Sequence, residues 1–315
     1  MDRSTGGPEF GIGIPQIHAG ARTDVDGLHR FLRRAEELGF ASAWVMEQPI
    51  GSAGLLEPLA LLAHAAAVTT RLRLGVAVIL APLRPPVALA KALATVDQLS
   101  GGRLIAGLAL GGREHYPAFG LSSDRRTTRF EEAVRLLKLL WELPSVTFEG
   151  EFWTLSDVAV EPKPVQRPHP PIWFGGGHPS ALVRAARTAD GWIGAGSSGT
   201  EEFASSVPIL REALEGEGRD PSSFPVAKRV YVAVDDDTER ARARLHEWFG
   251  RVYGNPGLAD RVAVFGSAEV VAEGLTAVAG AGAGLIVANP VFDQEQQAET
   301  LASNVVPQVR QELAK

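Results

Sequence analysis

Two glycine clusters carry the strongest chemical signal in this chain. The run "FGGGHPSALVRAA" sets Gly175, Gly176 and Gly177 between an apolar stretch and a helix signal, with His178 at the junction. Glycines let backbone N–H groups approach an anion closely, and a helix start adds partial positive charge, so phosphate binding is one reading. A tight turn that needs positive φ is the other. The run "WIGAGSSGTEE" holds Gly194, Gly196 and Gly199, formally G-x-G-x-x-G, with the Ser197 hydroxyl beside them. That spacing marks a dinucleotide site when it opens a first βαβ unit. Here it falls late in the chain, and no following strand ends in an acid at the distance a ribose needs. Two adjacent loops gripping one phosphate explain both clusters better.

Side chains able to move protons end other apolar runs. Glu47 and Gln48 follow "SAWVM", His18 follows "GIGIPQI", and His115 follows "LIAGLALGG". Glu and His can serve as general acid or base, whereas an amide cannot exchange a proton near neutral pH. A solvated loop side chain is the commoner fate of a lone His. His178, opening a helix beside glycines, suits an anion contact better than acid–base work. Asp235–Asp237 also open a helix, where capping accounts for acids. No His pair has metal-ligand spacing, so no metal is expected. The 315 residues include no cysteine, which excludes thiolate catalysis, disulfides and iron–sulfur sites.

These residues need elements to position them, and the chain supplies a regular alternation. Short β-type runs (Phe10–Pro15, Ser42–Glu47, Leu72–Leu80, Leu104–Leu110, Ile172–Phe174, Trp192–Ala195, Val226–Val234, Leu285–Ala288) alternate with amphipathic stretches. Leu72–Leu80 is nearly all apolar, as a parallel strand buried on both faces should be. Eight strand–helix units predict a single α/β domain, a (β/α)₈ TIM barrel, over residues 10–315. Such barrels take about 250 residues, and insertions near 146–171 and 250–266 absorb much of the surplus. Residues 1–9 read as an extension or a cloning remnant. In a barrel the chemistry sits where strands end and the following loops begin, which gathers all the residues above at one mouth. Lys228 lies early in its strand, at the opposite end.

Composition narrows the class further. Lys and Arg number 31 against 37 Asp and Glu, a net charge of −6, so no nucleic-acid partner is expected. No apolar run approaches the roughly 20 residues a membrane helix needs, and the polar start has no signal core. A cytoplasmic protein without membrane contact is the expectation.

Longer motifs make a resemblance specific. The blocks "VAVILAPLRPPVALAKALATVDQLSGGRLIAGLALGG", "FEGEFWTL", "PKPVQRPHPPIWFGGG" and "AARTADGW" are similar to those of the bacterial-luciferase-like family. The similarity runs from Phe10 to about Trp192 and continues more loosely through "GSAEVVAEGLTAVAGAGAGLIV". That family comprises (β/α)₈ oxidoreductases and monooxygenases using reduced FMN or the deazaflavin coenzyme F420. The resemblance implies a non-prolyl cis peptide at Ala77–Val78, in a bulge behind the flavin ring. It places Ala109, Leu110 and Gly111 along the ring edge or ribityl chain. Gly175–Gly177, with His178, Gly196 and Ser197, would hold the phosphate. The luciferases carry a phosphate-binding arginine at the position of Leu110, so that contact is missing here.

The family pattern after the second strand is an acid followed by His. Glu47 matches it, and Gln48 departs from it, which puts mechanisms needing that imidazole in doubt. A glucose-6-phosphate-dehydrogenase-like role suffers most, and His18 or His115 are the substitutes in reach. The resemblance implies F420 ahead of FMN, a small-molecule substrate, a homodimer, and a separate reductase supplying reduced cofactor. The pairing would use the helix Leu59–Thr69, whose Leu59, Leu61, Leu62 and Ala65–Val68 are apolar on more than one narrow stripe. Two other readings stand beside it. One is a flavin-binding protein with little or no catalysis, given Gln48. The other is a phosphate-sugar isomerase or lyase, for which Glu47 would be the base.

Overall fold

The computed structural model describes residues 7–17 and 22–315. In chain order its strands are β1 (Glu9–Gly13), β2 (Ser42–Val45), β3 (Arg73–Val76), β4 (Ile79–Leu80), β5 (Leu104–Ala109), β6 (Val146–Glu149), β7 (Thr154–Val158), β8 (Ile172–Gly175), β9 (Gly191–Gly194), β10 (Val226–Val234), β11 (Ala263–Gly266) and β12 (Leu285–Pro290). The main helices are α1 (Val25–Glu37), α2 (Pro58–Val68), α3 (Pro86–Ser100), α4 (Arg126–Glu142), α5 (Pro179–Thr188) and α6 (Thr200–Gly216). They continue with α7 (Thr238–Tyr253), α8 (Leu258–Val262), α9 (Ala268–Gly280), α10 (Gln294–Thr300) and α11 (Val306–Leu313). Parallel pairing runs β10-β12-β1-β2-β3-β5-β8-β9, and β9 pairs back onto β10. The ring closes. The expected TIM barrel is therefore present.

Local sequence explains the elements. In α1, Leu28, Phe31, Leu32 and Ala35 recur at helical spacing and are buried, while the Asp24 side chain caps the start by accepting from Gly27 N at 2.9 Å. Gly39, at φ +84°, turns the chain into β2. The bore is filled rather than open. Trp44 and Trp173 lie with ring centroids 5.7 Å apart, packed with Ile105, Ile193, Ala227, Leu285 and Val287. Burial of these two indoles in the bore adds to the apolar surface that the closed ring removes from water.

The first insertion is as expected: β6 and β7 form an antiparallel hairpin, followed by a proline-rich connector. It is docked by two carboxylates. Glu132 accepts from the amides of Glu151, Phe152 and Trp153, and buried Asp97 accepts from Val165 N and Gln166 N. Trp153 is half-buried against the main core.

The second excursion is wider than 250–266. It begins at Asp235 and takes in α7, α8 and β11. The buried face of α7 (Ala241, Leu245, Trp248, Phe249, Val252) packs on Tyr231, Ala233 and Val291 at the mouth, not on the outer wall. The wall position after β10 is filled by α9, whose Val271, Ala272, Leu275 and Val278 join the main core. Periodicity reports that a helix buries one face, but not which surface receives it.

Two smaller boundaries also differ. Glu9, assigned to the extension, is the first residue of β1: its N–H donates to Gly284 O and its carboxylate pairs with Arg73. On α2, Leu59, Leu61, Leu62, Ala65 and Ala66 are all buried within the chain, so the barrel absorbs the leucines. The outward face is small, with Ala60 and Ala67 exposed.

Candidate functional site

The third strand breaks at the position the resemblance marks. β3 ends at Val76, β4 resumes at Ile79, and the Ala77–Val78 bond between them is cis. Both residues are half-buried. Gly107 of β5 makes room for this path, because a Cβ there would sit 1.9 Å from Val76 O. The backbone groups near the break find other partners. Ala77 N donates to Val45 O, and Leu80 N donates to Glu47 Oε2 at 2.5 Å. Glu47 Oε1 accepts from the Arg84 guanidinium, and Arg84 also pairs with Glu57. The Glu47 side chain is 3% exposed, so both of its oxygens hold the bulge from the rear.

The two glycine loops lie side by side, since Gly175 pairs with Ile193 in register. Gly176 sits at φ +110°, which serves a turn as the second reading required. The amides of Gly176, Gly177, Gly196 and Ser197 have no hydrogen-bond partner among the described residues. Four free donors on adjacent loops, beside the start of α5, suit a phosphate. The loops are held from below. Trp192 Nε1 donates to Gly176 O at 2.9 Å. The buried Lys228 ammonium donates to Ala195 O, to Ser198 O at 2.8 Å and to Ser198 Oγ at 3.2 Å. Lys228 therefore faces the helices, away from the bore. Burial, and then the neighbouring Arg229 charge, lower its pKa to about 7.

The other expected residues scatter around the same rim. Ala109, Leu110 and Gly111 end β5 half-exposed, tied by Tyr116 Oη to Leu110 O at 2.8 Å and by Arg126 to Gly111 O at 2.6 Å. His178 caps α5 and its Nδ1 pairs with Ser180 Oγ at 2.8 Å. His115 lies in a short turn, with Nε2 3.6 Å from Glu114. His18 lies outside the described residues. Gln48 Nε2 donates to Val252 O at 3.3 Å, and its buried Oε1 has no partner among the described residues. Glu47, Gln48 and Phe119 share a cavity of about 350 Å³ at the rim. No cluster of three or more metal-ligating side chains occurs among the described residues.

Sequence reasoning missed a polar group inside the barrel. Arg229 and Tyr231 of β10 point into the bore, and Tyr253 at the end of α7 meets them. Arg229 donates to Ala77 O at 3.2 Å and to Tyr231 Oη at 2.8 Å, while the Tyr231 and Tyr253 hydroxyls lie 2.7 Å apart. The available signal was the pair Lys228–Arg229 inside an apolar strand. Alternation sends one cation inward and one outward.

Comparison with known proteins identifies the family. The sequence pattern of the luciferase-like monooxygenases matches residues 10–262. The chain belongs to that family. Among curated members, an F420-dependent glucose-6-phosphate dehydrogenase of Kineococcus radiotolerans is 34% identical over 227 residues, 69% of this chain and 67% of that protein. An FMNH₂-dependent dimethylsulfone monooxygenase of Pseudomonas putida is 31% identical over 246 residues, 75% of this chain and 66% of that protein. The chain thus matches about two thirds of the length of each. Among solved structures, a monooxygenase of Streptomyces bottropensis superposes with a TM-score of 0.82 at 26% identity, covering 95% of this chain and 99% of that one. An F420-dependent secondary alcohol dehydrogenase shares the fold, with a TM-score of 0.84 at 20% identity over 96% and 99% of the two chains. No helix among the described residues is long and apolar enough to cross a membrane.

Lys228 yields a pH test. The folded chain releases its proton near 7 and the unfolded chain near 10.5, so between those values the unfolded state binds more protons. Its contribution to stability is then complete above about 10.5 and is lost as pH falls through about 7. Urea unfolding of wild type and Lys228→Met at pH 6.5, 8 and 9.5 should show the difference moving in favour of wild type as pH rises. A pH-independent difference would show that the ammonium keeps its ordinary affinity for the proton.

Proposed function

We propose that this chain is an oxidoreductase that binds reduced F420, in preference to FMN, at the barrel mouth and acts on a small organic substrate. The observation that carries this reading is the half-exposed Ala77–Val78 bulge on the same rim as four unpaired amides on adjacent loops. A tricyclic ring needs a flat apolar backing, and a phosphate needs unpaired donors. Ala77 and Val78 would back the ring, Ala109–Gly111 would line its edge, and Gly176, Gly177, Gly196 and Ser197 would hold the phosphate. His178 stands at the rim of that cradle, while its Nδ1 stays with Ser180. The reduced coenzyme, when bound, supplies two electrons as hydride or reduces oxygen.

The protein's own residues do the rest. Glu47 keeps the bulge in place through Leu80 N and Arg84 rather than meeting the substrate. Gln48, held by Val252 O and with a buried Oε1 that lacks a partner among the described residues, would orient substrate or ring by hydrogen bonding. Phe119 and the rim cavity give the substrate an apolar wall. The choice of F420 rests on the blocks "PKPVQRPHPPIWFGGG" and "AARTADGW" and on the 34% identical F420-dependent relative. Hydride transfer and oxygenation both remain within this reading, since relatives of each kind share the family. We also propose a cytoplasmic homodimer, paired through the small outward face of α2. If FMN proves to be the coenzyme, a separate reductase would supply its reduced form. Sedimentation giving a monomer at micromolar concentration would refute the dimer.

Titration with each coenzyme tests the central reading. Trp192 donates to the Gly176 carbonyl, so coenzyme binding should change tryptophan fluorescence, with F420 binding more tightly than FMN. Gly177→Val is the sharper variant, because a Cβ there meets nothing closer than Ser206 Oγ at 3.7 Å. It should fold normally and weaken binding at least tenfold, about 1.4 kcal/mol. Unchanged affinity would place the phosphate elsewhere. Gln48→Ala should cost about 3- to 30-fold in turnover, the scale of one neutral hydrogen bond with some misorientation. A loss of about 10³-fold with coenzyme affinity intact, in the range of a lost general acid, would mean that Gln48 does more than orient.

A further inference from the structure

We propose that Tyr253, backed by Tyr231 and Arg229, is the proton donor of this site and supplies what Gln48 cannot. The proposal rests on the reduced-coenzyme reading and adds a residue to it. Tyr253 is the exposed member of the group, at 37%, whereas Tyr231 and Arg229 are buried. Its hydroxyl lies 2.7 Å from that of Tyr231 and 3.4 Å from Arg229 Nη2, and Arg229 reaches across to the Ala77 carbonyl. One guanidinium thus spans from the bulge that would back the ring to the hydroxyl at the mouth. Gln48 donates to the carbonyl of Val252, the residue before Tyr253. The backbone that carries the phenol therefore meets Gln48, at the position where the family pattern has an imidazole.

Charge supports the assignment. No carboxylate hydrogen-bonds to Arg229, Tyr231 or Tyr253 among the described residues, and Arg229 Nε has no partner there at all. A buried cation without a counter-ion stabilises any anion that forms next to it. A phenolate left on Tyr253 is such an anion. Burial pushes the Tyr231 phenol well above its ordinary range, so Tyr231 keeps its proton and hydrogen-bonds the phenolate.

For a carbonyl substrate the step balances as follows. With reduced coenzyme bound, the carbonyl carbon would take a hydride, with both its electrons, and the oxygen would take the proton of Tyr253. An alcohol and oxidised coenzyme would result, and the proton that the coenzyme gives up on oxidation would pass through water to the phenolate, which closes the balance.

Two variants test the assignment: Tyr253→Phe removes the hydroxyl alone, and Arg229→Gln removes the cation behind it and should lose at least tenfold in turnover. In turnover, Tyr253→Phe keeps the ring packing on Trp248 and Phe249 and should lose 10²- to 10⁴-fold, the range of a lost general acid. Coenzyme affinity by fluorescence should change less than threefold. Turnover of Tyr253→Phe within threefold of wild type, or a tenfold loss of coenzyme affinity in that variant, would overturn the proposal. Failure of wild type to bind either coenzyme would overturn the underlying reading instead, and the fluorescence measurement, which needs no turnover, tells the two apart.

Discussion

Every arrangement at the mouth depends on how the backbone is satisfied where the third strand leaves its ladder. A buried amide or carbonyl without a partner costs on the order of 1–3 kcal/mol, so the detour at Ala77 and Val78 persists only with substitutes. Glu47 meets Leu80 N, Val45 O meets Ala77 N, and Arg229 meets Ala77 O. Those three partners come from β2, the loop after it, and β10, on both sides of the bore. The bulge therefore joins elements that the barrel ladder alone would leave independent.

The same economy explains why two adjacent residues of β10 have unlike jobs. Lys228 leaves the barrel and gathers the carbonyls of the Ala195–Ser198 loop, which leaves that loop's remaining amides free to face outward. Arg229 enters the barrel and gathers two phenols and a carbonyl. One strand thus sets the floor of both halves of the proposed coenzyme site. Among the described residues no carboxylate hydrogen-bonds to Arg229, so its charge contributes field as well as hydrogen bonds to the mouth.

Much of this was legible in the sequence because it follows from repetition. Eight apolar runs alternating with amphipathic stretches leave few architectures, and glycines at strand ends point to the rim. A helix was legible over Thr238–Phe249, short of its end at Tyr253 and not as a lid over the mouth, because Ala241, Leu245, Trp248 and Phe249 have the spacing of any wall helix. Glu47 was legible as a residue of the site and not as its brace, since a carboxylate's partners come from the fold: Leu80 lies 33 positions away. Arg229, Tyr231 and Tyr253 escaped for a related reason. Their meeting needs the bore direction of one strand and the end point of a helix from an excursion, and neither is a local property.

The pairing of β1 with β12 sets Glu9–Ile12 against Leu285–Ala288. During synthesis on the ribosome, this barrel stands for most of its length as an open sheet lacking its final stave. Until residue 290 emerges, β1 and the inner edge of β10 present unpaired N–H and C=O groups, which is the kind of edge that recruits other chains. Tyr231, Tyr253 and Gln48 cannot come to rest in their final places before that seam is sealed. Closure of the barrel and completion of its mouth are therefore one event, set by the pairing of the first strand with the twelfth.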